Sequence, residues 1–203
     1  ESGRSHYRCF EKMRIIAITT PKVDDNDAYL IKSLLEGGID IIHLRKPDSD
    51  IHECRKLLEV LTKEEREQII IHDFPELYDE FSLKGIHINR NVSSLPNDYI
   101  GFRTRSCHSL EEVRHYKKEY DYLLLSPIFD SISKVGYRAG FRKKELQEAS
   151  MKGIIDEKVV ALGGVTFESI AYLKGLNFGG VAMIGGIYNI NGLDRLKDLN
   201  KYR

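Results

Sequence analysis

The apolar positions of this 203-residue chain gather into eight short runs. They are Arg14–Thr19, Ile39–Leu44, Gln68–His72, Gly85–Ile88, Ile100–Arg105, Tyr122–Leu125, Lys158–Leu162 and Gly180–Ile184. Most are continuously apolar rather than alternating, the pattern of parallel strands covered on both faces. Between the runs, apolar residues recur at helical spacing. Ala28, Ile31, Leu34 and Leu35 form a stripe that stops at Gly37-Gly38. Ile51, Cys54, Leu57, Leu58 and Leu61 form another behind Asp50 and Glu53, which have the spacing of a capping box. Ser109 and Glu112 repeat that spacing around the stripe of Leu110, Val113, Tyr116 and Tyr120, and Thr166 is placed to cap the helix carrying Ile170 and Leu173. Asn91–Asp98, between the fourth and fifth runs, is too short and too Pro-interrupted for more than a helical turn.

Alternating β and α units predict a parallel α/β domain. Eight of them without a large insertion favour closure into a single (β/α)8 TIM barrel with a short fourth unit. The alternative is an open doubly wound sheet, but no G-x-G-x-x-G follows the first strand. Such barrels typically run to about 250 residues, so helices and connections are expected to be trimmed. Residues 13–203 read as one domain. Residues 1–12 read as a polar N-terminal extension or a cloning remnant, with Met13 a candidate start just before the first strand. The longest connection, Ser126–Phe141, is expected to be functional, and its length suits a lid.

The chain carries 31 Lys and Arg against 31 Asp and Glu. A neutral balance argues against a nucleic-acid partner and leaves room for a local basic site. Cys9, Cys54 and Cys107 are too few and scattered for a disulfide framework or zinc knuckle, and their odd number suits a reducing compartment. No run approaches the roughly 20 apolar residues of a membrane span, and the N-terminus lacks the apolar core of a signal peptide. The expectation is a cytoplasmic protein with a small-molecule substrate and no membrane partner. A homo-oligomer is left open.

In these barrels the chemistry sits at the carboxyl ends of the strands. Those ends carry Thr19-Thr20-Pro21, then His43 with Arg45-Lys46, then His72-Asp73, Asn89-Arg90-Asn91, Arg105-Ser106-Cys107-His108, the loop with Lys134, Gly163-Gly164 and Gly185-Gly186. Paired glycines after the last two strands fit a phosphate grip, because glycine lets backbone N–H groups approach an anion and adopt positive φ. Ordinary turn chemistry is the competing reading of each pair. Arg45 and Lys134 suit the rest of an anionic substrate, Arg45 more so because it ends an apolar strand. His108 is the candidate proton carrier. His43, His72 and His87, within or at strand ends, suit the filling of barrel layers, and no two His or Cys residues have the spacing of a strong metal site. Asp73 is the one carboxylate immediately after a strand end.

These residues resemble the thiamine-phosphate synthase and thiazole tautomerase (TenI) family from Arg14 to about Tyr188. The resemblance rests on His43-Leu44-Arg45, Ile71-His72-Asp73, Gly85-Ile86-His87-Ile88, Ser106-Cys107-His108-Ser109-Leu110-Glu111-Glu112, Ser126-Pro127-Ile128-Phe129 with Lys134, Gly163-Gly164-Val165 and Gly180-Val181-Ala182-Met183-Ile184, in the family's order. It implies a barrel that binds a thiazole ethyl phosphate at the turns after strands seven and eight. The synthase branch joins this thiazole to hydroxymethylpyrimidine diphosphate with Mg2+. The tautomerase branch aromatises the thiazole carboxylate phosphate by a metal-free proton shift, and its histidine after strand five matches His108.

Where the synthase pattern is Gln-x-Arg-x-Lys, this chain has His43-x-Arg45-x-Pro47. Where it is Asn-Asp, the chain has His72-Asp73, and Val92 stands where a second carboxylate is expected. The resemblance therefore leans toward the tautomerase. In that reading His108 and Arg45 are catalytic, the glycine pairs hold phosphate, and His43, His72, Ser106 and Lys134 contact substrate, with no cofactor. The synthase is the alternative, with Asp73 a ligand of Mg2+. A non-catalytic sensor of thiamine intermediates is the reading from another class.

Overall fold

A computed structural model describes residues 12–89, 92, 94–96, 98–130, 140–184, 187, 194, 196 and 199. Lys134, Gly185, Gly186, most of the Ser126–Phe141 loop and residues 1–11 lie outside the described residues.

All eight apolar runs are strands. They are β1 (Arg14–Ile18), β2 (Ile41–Leu44), β3 (Ile69–Ile71), β4 (Gly85–Ile88), β5 (Phe102–Cys107), β6 (Tyr122–Leu125), β7 (Val159–Leu162) and β8 (Gly180–Met183). They pair in parallel and in sequence order, and β8 closes on β1. Helices lie between them at α1 (Asp27–Glu36), α2 (Ile51–Glu59), α3 (Lys63–Arg66), α4 (Leu77–Phe81), α5 (Leu110–Tyr116), α6 (Lys143–Met151) and α7 (Ile170–Gly175). Among the described residues no helix is long and apolar enough to cross a membrane.

The continuous apolar runs have a simple cause. Alternate residues of each strand enter two different cores. Ile16, Ile18, Ile41, Ile70, Tyr122, Leu124, Val160 and Ala182 fill the inside of the barrel. Their neighbours, such as Ile15, Ile42, Leu44, Ile71, Leu123 and Val181, pack outward in the cluster that also holds Ile31, Leu34, Leu57 and Leu58. Both faces are buried, so no polar face is left to alternate with.

Local chemistry sets the helix ends. Asp50 Oδ1 accepts from the His52 and Glu53 amides while Glu53 accepts from the Asp50 amide, the expected capping box. Ser109 accepts from the Glu112 amide, but the Glu112 carboxylate accepts the His108 N–H at 2.5 Å instead of closing the box on Ser109. Strand β5 runs to Cys107, two residues beyond its expected end. Arg105 is therefore inside the strand and turned outward. Its guanidinium lies 4.0 Å from the Tyr116 ring centroid and donates to Tyr120 Oη. It does not follow the strand into the site.

Candidate active site

The carboxyl ends of β2 to β5 surround a polar layer inside an otherwise aliphatic barrel. Register explains its composition. His43 pairs with Ile18 and Ile70, His87 with Thr104, and Thr104 with Tyr122. His72 follows the Ile71–Ile86 pair by one residue and so comes level with His87. These side chains satisfy one another. His43 Nδ1 is 2.7 Å from His72 Nε2, and His43 Nε2 is 2.6 Å from Tyr122 Oη. His87 bonds Thr104 Oγ1 at 2.8 Å and Ser106 Oγ at 2.9 Å. Burial drives His43 and His72 well below the usual imidazole range, and burial with the Arg105 and Arg45 charges pushes His87 down to about 3. All three rings are neutral near pH 7.

Chain folding thus brings together three histidines that sequence spacing kept apart. Their nitrogens approach within 4.8 Å of one another. A shared cation needs lone pairs that converge in the ring planes. The His72 and His87 rings are stacked, 4.0 Å apart and 11° from parallel, so their lone pairs run side by side. The rings form a hydrogen-bonded core layer whose outer member, His72, borders the mouth. His43 is fully buried, with its two ring nitrogens engaged by His72 and Tyr122. Ser106, within β5, bonds His87 and belongs to the same layer.

Around this layer lies a more accessible rim. His108 is exposed, and its Nδ1 is 3.1 Å from the Ser126 carbonyl at the end of β6. Arg45 is also exposed, so its charge needs no interior partner, contrary to the argument from its strand-end position. Its main chain is held on both sides by Thr19 Oγ1, which accepts from Arg45 N and donates to Arg45 O. The adjacent Lys46 turns inward and forms a buried ion pair with Asp27 at the start of α1, 2.6 Å. Asp73 Oδ2 accepts from Lys46 N at 2.9 Å.

Asp73, Glu76, Pro47, Phe74, Pro75 and Val92 line a cavity of about 340 Å3 beside the ends of β2, β3 and β4. It gathers three of the positions compared with the synthase pattern, Pro47, Asp73 and Val92. It also supplies Glu76, a second carboxylate missed in the sequence. Glu76 stands on the turn entering α4, a helix too short to show periodicity. Val92, where a carboxylate was expected, is buried.

After β7, Gly163 and Gly164 have φ values of +92° and +62°. A Cβ on Gly163 would come within 2.8 Å of Pro127 Cα, and one on Gly164 within 2.3 Å of the Asp130 carbonyl oxygen. Glycine is required here by the approach of the segment after β6, whether or not an anion binds.

The thiamine monophosphate synthase (TMP-TENI) family model matches residues 15–187. The thiamine-phosphate synthase of Bacillus cereus (strain B4264) is 30% identical over 169 residues, covering 78% of this chain and 77% of its own. That of Bacillus mycoides (strain KBAB4) is 28% identical over the same shares. A crystal structure of thiamine phosphate pyrophosphorylase from Bacteroides thetaiotaomicron superposes with a TM-score of 0.83 at 35% identity, covering 94% of this chain and 97% of that one. The Pyrococcus furiosus thiamine phosphate pyrophosphorylase, 18% identical with a TM-score of 0.73, shares the fold. With its closed barrel and ordered strand-end residues, the chain belongs to the thiamine-phosphate synthase/TenI family of enzymes.

Proposed function

We propose that this enzyme joins hydroxymethylpyrimidine diphosphate to a thiazole ethyl phosphate and releases pyrophosphate, the thiamine-phosphate synthase reaction. The cavity at the ends of β2, β3 and β4, lined by both Asp73 and Glu76, carries this reading. Magnesium is usually held by one or two carboxylates plus substrate phosphates, and these two residues fit that donor set. The ion, when bound, would neutralise the departing diphosphate. Asp73 is already oriented by the Lys46 amide through Oδ2, which leaves Oδ1 as a further acceptor. The names of the matched relatives support the synthase over the tautomerase toward which the sequence leaned.

The protein's own part is positioning. The glycine pairs that follow β7 and β8 in sequence would hold the thiazole phosphate through backbone N–H groups. Exposed Arg45 would draw the anionic diphosphate to the rim, and bound substrates would meet as one oriented pair.

A second reading keeps a specific basis. Val92 is buried and apolar where the family's second carboxylate is expected, and Pro47 replaces the diphosphate-binding lysine beside it. For a tautomerase, Arg45 would hold the carboxylate and His108 would move the proton from ring carbon to exocyclic carbon without metal.

One assay separates the readings. The full chain is given both substrates with Mg2+, and pyrophosphate is measured. Release that drops about 100-fold or more in Asp73→Asn supports the synthase. No release, with metal-independent proton exchange on the thiazole carboxylate phosphate that vanishes in His108→Ala, supports the tautomerase. Ligand binding with neither reaction overturns both.

A further inference from the structure

The buried chain Tyr122–His43–His72 decides which atom His72 offers to a ligand. A phenol has one proton to place. Among the described residues the Tyr122 hydroxyl meets a single partner, His43 Nε2 at 2.6 Å. Burial raises the Tyr122 pKa, so the proton stays on the oxygen and lies in that contact. His43 Nε2 is then an acceptor. A neutral imidazole that accepts at Nε2 carries its hydrogen on Nδ1. His43 Nδ1 therefore donates to His72 Nε2, 2.7 Å away. By the same rule His72 carries its hydrogen on Nδ1, the nitrogen outside the chain. His72 is the least enclosed of the three histidines, at 5% against 0% and 1% for His43 and His87. The reversed chain would leave the phenol hydrogen unbonded inside the barrel, the costlier arrangement.

We infer that Tyr122 and His43 are positioning residues that lock His72 as an Nδ1–H donor, so that the ligand atom meeting this ring must accept a hydrogen bond. A diphosphate oxygen and a pyrimidine ring nitrogen both qualify, and an amino or ammonium group does not. The inference holds under either proposed reaction, because the state of the ring can be read without turnover.

The test is a long-range 1H–15N correlation spectrum of the full 15N-labelled chain. His43 and His72 should both appear as Nδ1–H tautomers. Added pyrophosphate or added hydroxymethylpyrimidine should shift His72 Nδ1, and the one that does so identifies the source of the acceptor. Tyr122→Phe removes one oxygen and keeps the ring under the Arg14 guanidinium, 4.7 Å from its centroid. In that variant both histidines should become tautomer mixtures, and affinity for the shifting probe should fall about 10-fold, as when an outer-sphere hydrogen bond is lost. An Nε2–H tautomer at His72 in the unaltered chain overturns the inference. So do unchanged tautomers in Tyr122→Phe, or a Nδ1 that responds to neither probe. If Tyr122→Phe does not fold, the spectrum of the unaltered chain decides.

Discussion

His72 and His87 stack face to face inside the barrel, with ring centroids 4.0 Å apart and planes 11° from parallel. Parallel register makes the contact, since His72 comes level with His87 one step beyond the Ile71–Ile86 pair. Two imidazoles this close and this buried are tolerated only while uncharged.

This layer makes the fold acid-sensitive. Folded His87 titrates at about 3, against 6.5 for an ordinary imidazole, and His43 and His72 are shifted the same way. Below about pH 6.5 the unfolded chain takes up protons that the folded rings refuse, so stability falls with pH. It is complete above about 6.5 and lost progressively toward the folded value. Urea midpoints should drop steadily from about pH 7 to pH 5, and a flat profile over that range would contradict the assignment.

Gly164→Ala forces an L residue to a φ of +62° and drives its Cβ to 2.3 Å from the Asp130 carbonyl oxygen. The expected loss is about 1–3 kcal/mol from backbone strain alone, with the steric clash added. Thermal unfolding measures it. Weaker retention of inorganic phosphate by a folded variant would tie the turn to anion binding as well.

Lys46 and Asp27 form an ion pair with side chains 1% and 3% exposed. Lys46 Nζ also donates to the Lys22 carbonyl at 2.9 Å, which ties the loop after β1 to the end of β2. Asp27→Asn leaves the ammonium buried without its counter-charge and should cost about 3–5 kcal/mol. The double variant Asp27→Leu/Lys46→Met should recover part of this in chemical denaturation. Equal losses in the two variants would refute the pairing energy.

Burial pushes the Cys54 thiol up to about 11 and Cys107 up to about 12. Neither supplies thiolate near neutral pH. In a Cys9→Ser background, native protein should leave a thiol-specific chromogenic reagent unreduced at about pH 8, whereas urea should expose two thiols. Rapid native labelling of Cys107 would reopen a nucleophilic role for it.

The barrel was legible because its information is local. Continuous apolar runs, helical stripes and the Asp50–Glu53 box each depend on residues within one or two turns. The end of β5 was harder to place. The fifth run was expected to end at Arg105 and deliver it to the site, yet the strand continues to Cys107 and Arg105 points out of the sheet, where it meets aromatic faces.

The candidate site divides the same way. His108, Arg45 and Asp73 become candidates by counting from strand ends, since a parallel strand delivers its next residues to one face. Glu76 was hidden on a short turn, and Tyr122 read as one more apolar strand residue. Local patterning along the chain is enough to order the strands, place the glycines after β7 and supply the histidines. Only closure of the barrel decided that His43, His72, His87 and Tyr122 share one layer. Their contacts cross β2, β3, β4 and β6, and such contacts follow from sheet register, not from spacing along the chain.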